Sequence, residues 1–210
     1  MHLTYWLGHR FFREVARGLF DFRVVNEHHL AQPGGAILAA NHVSFLDPPF
    51  IGQAFDEPIY FFARRTLFDH PLAGWLLRQW QSIPIDRDRP DAGSLKATIR
   101  TLRQGGKVLM FPEGTRSLDG RLQPAKAGVG LFIAKTQVPV IPLYIHGTLQ
   151  ALPRGARMLR PVQITLVVGE PYLPELGAGS QDRDLYQQLA DEVMGRITAL
   201  RASLQLEEDL

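Results

Sequence analysis

In the stretch AANHVSFLDPPF, Ala39 to Phe50, a histidine and an aspartate stand five positions apart, His42 and Asp47. An imidazole, with a pKa near 6.5, is the side chain best suited to accept a proton from a hydroxyl near neutrality. A carboxylate beside it can fix its tautomer and stabilise the imidazolium that forms. Five residues is a poor spacing for partners on one helix, because five steps leave the side chains about 140° apart. His42 therefore belongs to a loop and Asp47 to a helix start. The same residues also suit a plain helix N-terminus, with Asp47 capping orphan amides and Pro48 in the first helical position. A carboxylate has lone pairs enough for both tasks.

His42 follows the apolar run AILAAN, which has the character of a buried strand. Two further runs end in residues with chemistry to offer: SIPID is followed by Arg87, and KVLMF by PEGTRS, Pro112 to Ser117. In FPEGTRS, Pro112 stops the strand, Gly114 lets the backbone approach a ligand closely, and Arg116 offers a planar fork suited to two phosphate oxygens. The remaining strands expected are FRVVNE, IYFFA, VPVIPLYI and VQITLVVG, with helices near 48–55, 71–80, 91–104, 126–136 and 181–204. Strand and helix in alternation predict a single-domain α/β fold, a mixed, mostly parallel sheet flanked by helices. If the strands are parallel, their ends share one edge, where open α/β sheets gather ligands, and a base and two arginines would meet in one crevice.

Ahead of that domain, assigned to residues 26–210, residues 1–25 form an amphipathic segment. At 100° per residue Leu7, Phe11, Val15, Leu19 and Phe22 fall on one helical face, while His9, Arg10, Arg13, Glu14, Arg17 and Asp21 fall opposite. Such a helix either packs on its own domain or lies in a membrane interface, with Trp6 at the boundary and arginines toward anionic headgroups. Charges interrupt what would be the apolar core of a cleavable signal peptide.

With 210 residues, 45% of them hydrophobic, the chain suits one domain with a real core. Cysteine is absent, which rules out disulfides, a cysteine nucleophile and a thiolate zinc site. The seven histidines are scattered without an HExxH pairing, so no metal is expected. A net charge of +2 and the lack of a recognised basic–aromatic motif argue against a nucleic-acid partner. No uncharged run approaches the length of about 18 to 20 residues that a spanning helix needs.

NHVSFLD, SIPIDR, FPEGTRS and VPVIPLYIHGT, in this order, resemble the four sequence blocks of the glycerolphosphate acyltransferase family. The chain is most similar to that family's bacterial 1-acylglycerol-3-phosphate branch. The resemblance runs from about Asn26 to about Tyr172. It implies transfer of a fatty acyl group from a thioester, on coenzyme A or acyl carrier protein, to the free hydroxyl of lysophosphatidate, with no bound cofactor. It implies His42 as general base and Asp47 as its partner. It assigns Arg87 and the loop residues Glu113, Gly114, Thr115 and Arg116 to the phosphorylated acceptor, and Val138 to Pro142 to support of the pocket. With the amphipathic segment, it implies a peripheral enzyme at the cytoplasmic face of a membrane. Gln81 stands where relatives often open the second block with glycine, and ARRTLF where they often carry lysines, so these positions bear on the acceptor headgroup. Another lysolipid, such as a lyso-ornithine lipid or a lysophospholipid, is an alternative acceptor. A non-catalytic lipid-binding protein and a lysolipid or thioester hydrolase are alternatives of other classes. Ser44 lacks a GxSxG elbow, which favours direct transfer over an acyl-enzyme.

Overall fold

A computed structural model of the chain describes residues 3–85, 92–153, 155–156, 158–176 and 183–208. Its strands are β1 (Phe22–Val25), β2 (Ala36–Ala40), β3 (Ile59–Arg64), β4 (Ser82–Ile85), β5 (Lys107–Met110), β6 (Val140–His146) and β7 (Ile164–Val168). They form one sheet in the order β1-β7-β6-β2-β5-β3-β4. The run β6-β2-β5-β3-β4 is parallel throughout. β7 lies antiparallel to β6, and β1 parallel to β7. This is the mixed, mostly parallel α/β sheet that the alternating pattern predicts.

Among the described residues seven α-helices accompany the strands: α1 (Leu3–Phe20), α2 (Asp47–Gly52), α3 (Pro71–Gln79), α4 (Ala92–Arg103), α5 (Gly128–Thr136), α6 (Thr148–Ala151) and α7 (Arg183–Glu208). All five residues of β2 are buried, as expected of a strand with both faces covered. Ala36, Leu38 and Ala40 pack with Ala16 and Phe20 of α1 and Phe50 and Ile51 of α2. Ile37 and Ala39 point the other way, toward Leu102 of α4, Ile133 of α5 and Val193 of α7. The connection from β2 through α2 to β3 thus runs over one face, and that from β5 through α5 to β6 over the other. β2 and β5 are neighbours, so a crevice opens between their carboxyl ends where the chain leaves in opposite directions.

The amphipathic segment does form a helix, but a different face of it meets the domain. Tyr5, Ala16 and Phe20 are buried, and Phe20 meets Phe50 edge-to-face at 5.2 Å. His9 and Arg13, expected on the polar face, turn inward. The His9 Nε2–H donates to Phe55 O at 2.9 Å, and Arg13 Nη2 donates to Asp56 Oδ1 at 2.9 Å. Leu7 and Phe11 stay 59% and 66% exposed, with Trp6 and Leu19 also outside. Phe22 is not on the helix at all, being the first residue of β1. Large residues encircle most of α1, so periodicity alone could not tell which apolar strip docks.

Ahead of β4, Gln81 has a φ of +56°, a left-handed conformation that costs an L residue roughly 1–2 kcal/mol. Glycine would adopt this conformation without that cost.

Candidate active site

The site begins where β2 ends. Asn41 continues the β2–β6 ladder with its side chain: Nδ2 donates to Ile145 O at 3.0 Å and Oδ1 accepts from Ile145 N at 2.7 Å. The backbone can then leave the sheet at His42 without breaking register with β6. It turns through a short loop into α2, and the loop folds His42 back onto Asp47. His42 Nδ1 lies 2.7 Å from Asp47 Oδ2. An ionised carboxylate only accepts, so Nδ1 carries the hydrogen and Nε2 keeps its lone pair.

Asp47 is completely buried, and its oxygens are shared out unequally. Oδ2 accepts from His42 Nδ1 and from the amides of Val43 and Ser44, the latter two at 2.7 and 2.8 Å. Oδ1 accepts from the hydroxyl of Thr148 at 2.5 Å. The carboxylate therefore reaches backward into the loop rather than forward as a helix cap. Leu46 is the N-cap residue and no side chain caps this end. The reason lies in the sequence, since Pro48 and Pro49 have no amide to be capped and Phe50 N–H already donates to Leu46 O at 3.0 Å.

The other wall comes from the loop after β5. Phe111 stacks on the imidazole of His42, centroids 3.8 Å apart and planes 12° from parallel. Glu113 is buried, its Oε1 accepting from His42 N at 2.9 Å and its Oε2 from Gln123 N at 3.1 Å. Burial pushes the Glu113 carboxyl above its usual range, while those two amides pull the other way. Ser117 N donates to His42 O at 2.8 Å, so both ends of the His42 backbone are tied to this loop.

His42, Gly114 and Arg116 line one cavity of about 870 Å³, within the usual range of about 300–1,000 Å³ for ligand pockets. Asp47 and Glu113 stand behind the lining, and Thr115 is exposed outside it. The Arg116 guanidinium lies 3.5 Å over the ring of Phe45. Gly114 has φ +67°, and a Cβ there would come within 2.9 Å of the Lys126 stem, so glycine is needed for both the turn and the lysine beside it. The cavity also runs between Tyr5, Gly8 and Phe12 of α1, Phe61 of β3, Trp80 at the end of α3, and Phe132 of α5. Arg87 lies outside the described residues.

Asn41, Phe111 and Thr148 stand inside the blocks NHVSFLD, FPEGTRS and VPVIPLYIHGT but have no role of their own in the sequence reading, and Lys126 lies outside those blocks. Thr148 is 101 positions from Asp47, and no spacing rule joins the two.

Residues 21–146 match the family model described as Acyltransferase. The chain is 33% identical over 138 residues to the chloroplastic 1-acyl-sn-glycerol-3-phosphate acyltransferase BAT2 of Brassica napus, covering 64% of this chain and 40% of that protein. It is 27% identical over 150 residues to the 1-acyl-sn-glycerol-3-phosphate acyltransferase of Bacillus subtilis (strain 168), covering 71% of this chain and 72% of that one. It spans half or less of the curated plant proteins it matches. The crystal structure of the 1-acyl-sn-glycerophosphate (LPA) acyltransferase PlsC from Thermotoga maritima superimposes with a TM-score of 0.76 at 27% identity, over 94% of this chain and 78% of that one. The matched segment holds β2, the His42–Asp47 corner and the loop after β5 together, and with it the chain belongs to the acyltransferase family.

Proposed function

We propose that the protein acylates lysophosphatidate to phosphatidate, drawing the acyl group from a thioester of coenzyme A or acyl carrier protein. One observation carries this reading: an imidazole with Nδ1 held by a buried carboxylate lines a largely apolar cavity that Arg116 also lines. The acceptor hydroxyl attacks the thioester carbonyl while its proton passes to His42 Nε2. Asp47 stabilises the resulting imidazolium. The tetrahedral adduct then expels the thiolate, and the imidazolium returns the proton to it, leaving ester and free thiol. Ser44 is not needed as a nucleophile, and its buried hydroxyl accepts from Leu46 N at 3.3 Å within the loop. Arg116 supplies charge for the acceptor's phosphate. Glu113, given to the acceptor by resemblance, stands behind the cavity lining, and its Oε1 holds the His42 backbone in place by accepting from His42 N.

The names of the relatives support the acceptor, because the matching proteins from Brassica napus and Bacillus subtilis are 1-acyl-sn-glycerol-3-phosphate acyltransferases. Exposed Leu7 and Phe11 on α1, and exposed Phe45 and Leu118 near the cavity, support work at a membrane surface. We assign it to the cytoplasmic face, where both thioester donors are found. Among the described residues no helix is long and apolar enough to cross a membrane.

Purified protein with vesicles should convert lysophosphatidate and a long-chain acyl thioester to phosphatidate, and acylate the dephosphorylated monoacylglycerol far more slowly. Release of free fatty acid without acylated lipid would make it a hydrolase. Acylation of another lysolipid but not lysophosphatidate would overturn the acceptor. Vesicle binding with no turnover on any donor would leave a lipid-binding protein.

A further inference from the structure

Thr148 lies in none of the loops that carry the proposed chemistry, yet its hydroxyl is a direct partner of Asp47. It is completely buried at the first position of α6, just past β6. The chain is bent to put it there. Gly147 has φ +89°, and a Cβ on it would come within 2.2 Å of Gln163 O, so the turn that delivers Thr148 tolerates no side chain before it. Asp47 only accepts hydrogen bonds, so Thr148 Oγ1 donates to Oδ1.

We propose that Thr148 is a positioning residue for the acyl transfer, locking the Asp47 carboxylate in the rotation that presents Oδ2 to His42. Three N–H groups hold Oδ2, but bonds to one oxygen leave the other free to swing about it. The Thr148 bond holds the second oxygen and fixes the carboxylate plane. The side-chain bonds of Asn41 to Ile145 join the His42 loop to β6 as well. Both members of the dyad thus take their register from β6, the strand that ends at His146. Without the hydroxyl, Oδ1 is buried with no donor, and the carboxylate gains by turning toward one. Which ring nitrogen of His42 carries the hydrogen is set by the bond that Asp47 makes, so the effect reaches the base.

The proposal rests on His42 acting as the base, and its test has a readout that needs no substrate. In ¹⁵N spectra of the ring, wild-type neutral His42 should be in the Nδ1–H tautomer. Thr148→Val keeps the shape and loses the donor. It should admit a substantial Nε2–H population and lower kcat by about 10- to 100-fold, the scale of a hydrogen bond to a charged group. KM for both substrates should stay near wild type, and Thr148→Ser should restore tautomer and kcat together. A Val variant with wild-type tautomer and kcat, or a Ser variant as impaired as Val, would overturn the proposal. If the Val chain does not fold, Thr148→Ser against Thr148→Ala carries the same test, and equal tautomer populations in those two would overturn it. Should the acceptor be some other lysolipid, the tautomer readout still decides the role of Thr148.

Discussion

Around His42 polar groups are taken out of water and given hydrogen-bond partners, whereas along α1 large apolar groups are left in water. Asp47, with no exposure at all, has four donors for its two oxygens, and Glu113 has an amide for each of its own. On α1 the inner strip of Tyr5, Ala16 and Phe20 is packed, and Phe11 on the outer side is two-thirds exposed. A buried ionisable group is tolerated only with partners, so the first region can adopt few arrangements. An apolar strip can be satisfied by the domain or by a lipid surface, and α1 packs one strip on the domain and leaves another exposed.

Substitutions in the two regions should therefore fail in different ways. The largest effect expected is that of His42→Ala, which should lower acyl transfer by about 100- to 10,000-fold, the usual cost of losing a positioned base. Its thermal transition should remain single and cooperative by circular dichroism. Near-normal turnover would take His42 out of the mechanism. On the inner strip of α1, Phe20→Ala should cost about 3–5 kcal/mol of stability in urea unfolding, because it empties a buried site against Phe50. A loss below about 1 kcal/mol would mean that α1 is only loosely attached.

The outer strip should behave in the opposite sense. Phe11→Ser should leave stability within about 0.5 kcal/mol of wild type, as exposed positions do. It should weaken vesicle binding by roughly 10-fold or more, the scale of about 1.5–3 kcal/mol for burying a large apolar side chain. Unchanged partitioning in a sedimentation assay would remove α1 from the membrane contact. The smallest effect belongs to Gln81→Gly, which relieves a left-handed φ at the residue after Trp80. It should raise the urea midpoint by the equivalent of roughly 0.5–1 kcal/mol, after the chain-entropy cost of glycine is subtracted. Destabilisation would show that the Gln81 side chain holds something in place.

The same contrast decided what could be foreseen from sequence. All seven strands lie where alternation of apolar runs and helical patterns puts them, because a sheet covered on both faces demands continuous apolar segments such as AILAA. His42 and Asp47 could be paired because helical geometry forbids five-residue neighbours on one helix, leaving the loop-and-helix-start arrangement. The direction of the Asp47 carboxylate was missed. Asp before two prolines resembles a cap, yet those prolines remove the amides a cap would serve. The bond from Thr148, the last residue of the fourth block, to Asp47 was out of reach because only the tertiary fold brings the end of β6 over the start of α2. Which strip of α1 docks was left open between domain and membrane, because a helix with large residues on most sides has no single apolar face.

The central claim is that Asp47 serves His42 through its charge rather than serving the loop through its shape, and Asp47→Asn separates the two. The Asn carbonyl can still accept from Val43 N and Ser44 N, and its amide can donate to the Thr148 hydroxyl, so the loop should fold with a melting temperature close to wild type. The negative charge that stabilises the imidazolium is lost. Steady-state assays with lysophosphatidate and an acyl thioester should then give a kcat lowered by roughly 1,000-fold or more, as expected when a catalytic histidine loses its carboxylate. Asp47→Ala should lose stability as well. If Asp47→Asn keeps kcat within about 10-fold of wild type while Asp47→Ala fails by unfolding, Asp47 is a structural tie and the His42–Asp47 dyad is not the base.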